Sequence, residues 1–372
     1  MEITDVRTVK LGAEMERPIQ NARATMEVRA SAFVLVETDV GLTGIGEGYG
    51  PNPAVVETVV EEILRPVLLG EDPLDIEHLW QRMLTDGGYF DQKGHVIAAI
   101  SGVDLALWDL AGKYHDAPVY ELLGGATRDD PSVRAYANDL YWDDPEKMAD
   151  RAAEYADRGF QGVKIHIGRS READERRVRA ITDRVEECAL MVDANCGYDE
   201  AEAVQVGDML ESYDVHWYEE PVRPHAHDAY SALAAELRVP IAGGENEYTK
   251  WGFRQLLQPT PVDQLLPNVT RCGGLTEARK IVALAETFGV GVSPHSFSTG
   301  VNLAASLHLL GCSPACEWIE WDVTPYPLID ELLVSDVDVD ADGYVAPPSD
   351  PGLGVELPDR VLDRYDLSSV SS

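Results

Sequence analysis

Positive charge is what this chain has least of. Its 372 residues carry 30 Lys and Arg against 66 Asp and Glu, a net charge of −36. Lysine occurs only at positions 10, 93, 113, 147, 164, 250 and 280. Such a field repels phosphate backbones and anionic headgroups, so neither nucleic acid nor an anionic membrane is expected as a partner. A run of 18 or more apolar residues is missing too, and no membrane-spanning helix is expected. The first residues, Met1-Glu-Ile-Thr-Asp-Val, lack the basic and apolar regions of a secretory signal. The few cysteines (188, 196, 272, 312 and 316) show no zinc-type spacing, so reduced thiols in a cytoplasmic protein are expected. No Gly-x-Gly-x-x-Gly follows a first strand, which argues against an open dinucleotide-binding sheet.

What is present is an ordinary globular core: 45% of residues are hydrophobic. The acids are spread over the chain rather than gathered in a tail. A folded protein with an acidic surface follows, of the kind that works in concentrated salt, where self-repulsion is screened. The length calls for two domains, or for a barrel plus a smaller domain.

Residues 3–10 alternate like a strand, and 32–47 read as a hairpin turning near Asp39-Val-Gly41. Helical periods follow over 53–68, 73–85 and 95–113. Strands followed by helices make an α+β unit over 1–125. From Pro131 strands and helices alternate strictly. The polar residues that end the strands fall near 138, 164/166, 193, 219, 245, 268, 295 and 320, a step of about 23 to 29 residues typical of one strand, one helix and two short loops. Eight such units in order predict a (β/α)8-type barrel over 126–322, with its active site at the C-terminal strand ends. The segment 323–372 is Pro- and Asp-rich. Leu332, Leu333, Val334, Val345, Leu353 and Val355 need burial there, so it is expected to return to the first unit, with weak strands near 333–346 and a helix near 358–365.

Three strand ends share one pattern: Leu-Met-Val-Asp193, His-Trp-Tyr-Glu219 and Ala-Gly-Gly-Glu245. Parallel strands bring these carboxylates to one end of a sheet, where they repel unless a cation lies among them. A divalent metal site is the reading. The remaining strand-end residues are Lys164, His166, Asn195, Glu220, Asn268, His295 and Glu320.

These residues sit in motifs that resemble the enolase superfamily, in particular its mandelate racemase subgroup. The motifs are Ser101-Gly-Val-Asp104-Leu-Ala-Leu-Trp108, Val163-Lys-Ile-His166, Val192-Asp-Ala-Asn195, Glu219-Glu-Pro221, Gly243-Gly-Glu245, Cys272-Gly-Gly-Leu-Thr-Glu277, Pro294-His295 and Ile319-Glu320. The resemblance spans nearly the whole chain. It implies a modified TIM barrel, (β/α)7β, under an α+β capping domain that the C-terminal segment completes. It also implies Mg²⁺ held by Asp193, Glu219 and Glu245, and a small acid-sugar or hydroxy-carboxylate substrate whose α-proton is removed to give an enediolate. Asn195 and Glu320 match positions that contact the substrate. Tyr49, residues 14–26, Tyr89 and Phe90 are candidates for loops that close over it, and a homo-oligomer is expected.

Two positions depart from the family pattern. The usual Lys-x-Lys of the second strand is Lys164-x-His166, so either residue can be the base. An imidazole with an ordinary pKa near ~6.5 needs no large depression to accept a proton. The seventh-strand His295 is usually paired with an Asp on the sixth, and here that partner is Asn268. An amide orients the ring without stabilising an imidazolium. Racemisation needs two competent bases and suffers more from this change than β-elimination. The sequence therefore reads as an acid-sugar dehydratase. The alternatives are an aldarolactone cycloisomerase, then a racemase or epimerase, and outside enzymes a metal-retaining binding protein.

Overall fold

The computed structural model describes residues 1–50, 52–87, 89 and 91–367. Three antiparallel strands come first, β1 (Ile3–Gln20), β2 (Thr25–Thr38) and β3 (Thr43–Gly48), in that order across the sheet. The helix His95–His115 lies against them, and β3 shows why it can approach so closely. A Cβ on Gly44, Gly46 or Gly48 would come within 2.0, 1.9 or 2.8 Å of the carbonyl oxygen of Ala106, Gly102 or Ala98. Those partners recur every four residues, on one face of the helix. Only glycine lets two backbones meet at that distance. By length and composition this helix could cross a membrane, but 89% of its most apolar stretch is buried within the protein.

Eight parallel strands follow: β4 (Val133–Leu140), β5 (Gly162–His166), β6 (Ala189–Asp193), β7 (Trp217–Glu219), β8 (Ile241–Gly243), β9 (Gln264–Leu265), β10 (Gly291–Val292) and β11 (Trp318–Asp322). They pair in sequence order from β4 to β10, and β11 pairs with the free side of β4. A bridge from Val292 to Cys316 joins β10 to the run into β11. The result is the nearly closed, modified TIM barrel expected from the spacing, beneath the capping sheet.

Inward-facing side chains alternate along each strand and stack in layers. The lower layer is apolar and aromatic: Tyr136, Met191, Trp217, Ala242, Leu266 and Trp318 form one buried cluster. Tyr136 meets Trp217 edge-on at 5.4 Å. Two residues further along the same strands stand Asn138, Asp193, Glu219, Asn268 and Glu320. A dry floor thus lies directly below a polar layer, and that contrast defines the site.

After β11 the chain returns to the cap. Strand β12 (Tyr344–Val345) pairs antiparallel with β4. The Leu353 N–H donates to Asp109 of the cap helix at 2.9 Å, and Asp366 bridges Leu11. Leu332, Val345, Leu353 and Val355 are buried as expected, whereas Val334 is 46% exposed. Its backbone pairs with Gly354, which leaves its side chain on the solvent face. The weak strands expected over 333–346 reduce to β12 and a single bridge, Leu333 to Val355.

Residues 14–26 are not a loop. They form the tip of the β1–β2 hairpin, which bulges where the pairing jumps from Glu14–Val28 to Ile19–Met26. Pro18 lies in the bulge, since a regular ladder does not tolerate it. The tip reaches over the barrel mouth. There Trp142 N–H donates to Gln20 O at 3.3 Å, and Ala22 packs against Gly168 and Gly197.

Candidate active site

The strand register sets His166, Asp193 and Glu219 side by side in one row. Glu245 follows two residues after β8. One carboxylate oxygen from each of Asp193, Glu219 and Glu245 lies within 4.8 Å of the others. Burial, reinforced by Glu245 and Glu220 against the pull of Lys164, raises Asp193 to about 8. Burial likewise pushes Glu219 well above the usual carboxylate range. Glu245 goes the other way, because His295 outweighs its burial. Buried charges of one sign cost several kcal/mol each unless matched. A divalent cation matches them, and the donor set is all hard oxygen.

Sharp backbone turns follow these strand ends. Asn195, Cys196 and Glu220 have φ of 44°, 56° and 41°, a region disfavoured for non-glycine residues and found where function demands it. The turn at Glu220 aims its carboxylate at Cys196 Sγ (3.1 Å) and Asn246 Nδ2 (2.9 Å), a donor it shares with Glu245.

Lys164 stands at the centre of the polar layer and is 1% exposed. Its Nζ lies 2.7 Å from Glu320 Oε1, 3.3 Å from Glu219 Oε2 and 3.9 Å from Asp193 Oδ2. Burial lowers its basicity, but Glu219 and Glu320 outweigh that and hold it well above an ordinary lysine. The ammonium and a metal cation therefore draw on the same carboxylates, and a cation on Asp193 and Glu219 weakens the hold on the Lys164 proton.

His166 is clamped from both sides. Asn195 Nδ2 donates to Asp193 Oδ2 at 2.8 Å, which turns its Oδ1 toward His166 Nδ1 at 2.8 Å. Asn138 Nδ2 donates to Glu320 Oε1 at 2.5 Å, which turns its Oδ1 toward His166 Nε2 at 2.9 Å. The ring of Tyr141 stacks on the imidazole at 4.1 Å. Burial, then the Lys164 ammonium, lower His166 to about 3, so the ring is neutral at neutral pH. A neutral ring donates to only one of the two amide oxygens. The other nitrogen faces the second amide oxygen, so the two amides together fix the orientation of the ring.

Across the mouth, His295 is set by Asn268. The backbone N–H and hydroxyl of Thr270 both donate to Asn268 Oδ1, at 2.9 and 2.6 Å. Its Nδ2 is thereby left to face His295 Nδ1 at 2.9 Å. The proton of the neutral ring then sits on Nε2, 3.0 Å from Glu245 Oε2. Burial lowers His295, but Glu245 and Glu320 outweigh it and raise the ring to about 9. A cation bound to Glu245 cancels part of that field.

These groups line a cavity of about 130 Å³ roofed by the hairpin tip and Tyr49. Lys164, His166, Asp193, Asn195, Glu245, His295 and Glu320 all reach it, while Glu219 and Asn268 support it from behind. Asn195 lines the cavity, although its amide is committed to His166 and Asp193. Tyr49 is fixed there because its N–H donates to Thr270 O at 3.0 Å. Tyr89 is 65% exposed and does not line the cavity; Phe90 lies outside the described residues. Asn138, Tyr141, Arg271 and Phe297 also line it and were not read as site residues. Asn138 ends a barrel strand, a signal that could have found it. A larger cleft of about 980 Å³ opens at the other end of the barrel, beside Cys188 and Leu190, far from these groups.

The fold has counterparts in known proteins. Residues 3–124 match the family described as mandelate racemase / muconate lactonizing enzyme, N-terminal domain. Residues 147–361 match the enolase C-terminal domain-like family. The chain is 37% identical over 380 residues to an arabinonate dehydratase of Saccharolobus solfataricus, covering 99% of this chain and 100% of that one. It is also 37% identical over 384 residues to a D-galactarolactone cycloisomerase of Agrobacterium fabrum, covering 98% and 99%. A racemase from Streptomyces coelicolor A3(2), solved with bound magnesium, superimposes with a TM-score of 0.90 at 30% identity, covering 98% of this chain and 100% of that one.

Proposed function

The chain belongs to the mandelate racemase / muconate lactonizing enzyme family of the enolase superfamily, and on that premise we propose that it is a Mg²⁺-dependent acid-sugar dehydratase. Asp193, Glu219 and Glu245 would hold the Mg²⁺. When bound, the ion supplies a seat for the substrate carboxylate and stabilises the charge of the enediolate. The rest of the chemistry falls to the chain. The α C–H proton leaves toward β5, where Lys164 and His166 are the groups able to hold it. The electron pair of that bond forms the enediolate. As the pair returns, the β C–O bond breaks and hydroxide departs with a proton from His295 Nε2. The enol product then tautomerises to a 2-keto acid. Glu320 and Asn138 keep Lys164 and His166 in place, and the hairpin tip with Tyr49 excludes water.

One observation carries this reading: the hydrogen bonding of His295. Asn268 makes His295 a donor at Nε2, opposite the β5 pair. A base facing an acid suits elimination, whereas a racemase needs a base on each side. Conversion of C5 and C6 aldonic and aldaric acids to 2-keto acids, followed by NMR with Mg²⁺, tests it. Absence of any keto acid overturns it. Cycloisomerisation of an aldarolactone is the second reading, favoured by the D-galactarolactone cycloisomerase relative. It begins with the same α-proton loss and leaves an isomer instead of a keto acid.

We read the charge of −36 as adaptation to a cytoplasm of concentrated salt, and the family as pointing to a homo-oligomer. Unfolding temperature measured against KCl checks the first, because screening relieves surface repulsion. Light scattering checks the second.

A further inference from the structure

Arg271 stands out among the cations of the cavity. Lys164 contacts three carboxylates and His295 contacts Glu245. Arg271 has no carboxylate within ion-pairing distance among the described residues. Its Nη1 donates to Asn246 Oδ1 at 3.1 Å and its Nη2 to Tyr248 Oη at 2.8 Å, an amide and a phenol oxygen rather than carboxylates. Its Nε is buried without any hydrogen-bond partner. A guanidinium has five N–H donors, so three remain unused. The Tyr49 and Tyr248 rings lie 6.0 and 5.6 Å from its central carbon, and Glu245 is reached only through Asn246, without an ion pair. A buried polar donor left unmatched is costly, and Arg271 is one of the residues that line the cavity.

We propose that Arg271 binds a second carboxylate, the one not seated at the metal ligands, so that the enzyme acts on a dicarboxylic sugar acid or its lactone rather than on a monocarboxylic one. This rests on the reading of the cavity as an acid-sugar site. One carboxylate belongs at the Asp193, Glu219 and Glu245 cluster. The other meets a planar fork of N–H groups, whose geometry matches a carboxylate in a bidentate pair. The hydroxyl of a monocarboxylic sugar acid satisfies one donor and leaves the charge unmatched.

Binding decides the assignment without catalysis. Glutarate and glutaramate have the same length and differ only in the charge of one end. The Mg²⁺-loaded protein is expected to bind glutarate more tightly by about 10- to 100-fold, the range of a charge-assisted hydrogen-bonded contact. Arg271→Gln is expected to remove that preference, and Arg271→Lys to keep part of it. Unfolding curves of both variants establish that they are folded. Equal affinity of the parent protein for the two ligands overturns the proposal, as does a preference that survives in Arg271→Gln. Turnover checks the same point: the parent is expected to favour the aldaric acid over the aldonic acid of equal length in kcat/KM, mainly through KM. Exchange of the substrate α-proton in D2O addresses the acid-sugar reading separately. No exchange with any acid sugar sinks that reading, while exchange without a diacid preference sinks only the role of Arg271.

Discussion

Asn268 turns its amide nitrogen, not its oxygen, toward His295. The orientation is fixed, because the Thr270 N–H can only donate and it donates to Asn268 Oδ1. One atom of one side chain thereby sets which nitrogen of the facing imidazole carries the proton. Asn268→Asp should reverse that choice. An aspartate accepts from Thr270 and from His295 Nδ1–H alike, leaving Nε2 with a free lone pair. We expect slower dehydration and the appearance of the α-epimer in recovered substrate. NMR in D2O checks this; an unchanged product ratio would show that the amide is not what sets the proton.

His295→Asn should separate the two halves of the reaction. Loss of a general acid lowers kcat by about 10²- to 10⁴-fold, but the α-proton leaves on the opposite side. Deuterium wash-in to unreacted substrate should therefore continue when 2-keto acid formation has nearly stopped. Lys164→Ala and His166→Ala should instead abolish wash-in. Full exchange in both would remove the base from β5.

Chelation should silence the enzyme and Mg²⁺ should restore it. The same ion should stabilise the fold, because the triad proposed to hold it is assembled only in the native state. At a hundred times its dissociation constant the gain is about 2.7 kcal/mol. Glu219→Gln removes one ligand, and Mg²⁺ should then no longer raise the unfolding temperature. If Mg²⁺ stabilises the variant as well as the parent, the ion binds elsewhere.

Asp104 predicts a pH dependence remote from the site. It lies on the cap helix, its Oδ2 accepts from Thr276 N–H at 3.0 Å, and its Oδ1 is buried without a partner. Burial, opposed by Thr276 and Lys280, raises it to about 7 from 3.8. The folded state holds this proton more tightly than the unfolded chain. The stabilisation is therefore complete below the unfolded value and is lost as pH rises through about 7. Asp104→Asn should flatten that slope and be the more stable form at pH ~8, by an amount on the order of a few kcal/mol. Denaturant unfolding at pH ~6 and ~8 decides it.

Gly46→Ala tests the contact between cap sheet and helix. The new methyl group would lie 1.9 Å from the Gly102 carbonyl oxygen, so the backbones must separate. A loss of at least about 1–3 kcal/mol is expected, read from the same unfolding curves.

Much of this was legible because barrel geometry converts spacing into position. Asp193, Glu219 and Glu245 are 26 residues apart, each at or just past a strand end, so the sequence places them together before any contact is known. Lys164 and His166 share an inward face for the same reason. Arg271 and Tyr141 were not legible, since their roles depend on Tyr49, Tyr248 and His166, which only folding brings near. The hairpin tip was misread because Glu14, Glu16, Arg17 and Pro18 break the alternation expected of a strand. The bulge that absorbs them is invisible without its partner strand. Asn268 was read as a weakened aspartate. Its amide polarity, which the backbone of Thr270 decides, turned it into a switch for the proton on His295.

The lysine that is so scarce in this chain also bears on how the protein is made. Lys164 emerges from the ribosome long before Glu320, yet the two meet at 2.7 Å. Until residue 320 has been synthesised, β4 has β5 on one side but lacks β11 on the other, and the central ammonium faces only part of its counter-charge. An unfinished chain is thus penalised for closing early, and the last strand of the barrel completes the counter-charge of Lys164. A protein truncated before Trp318 should fail as a fold, not merely as a catalyst.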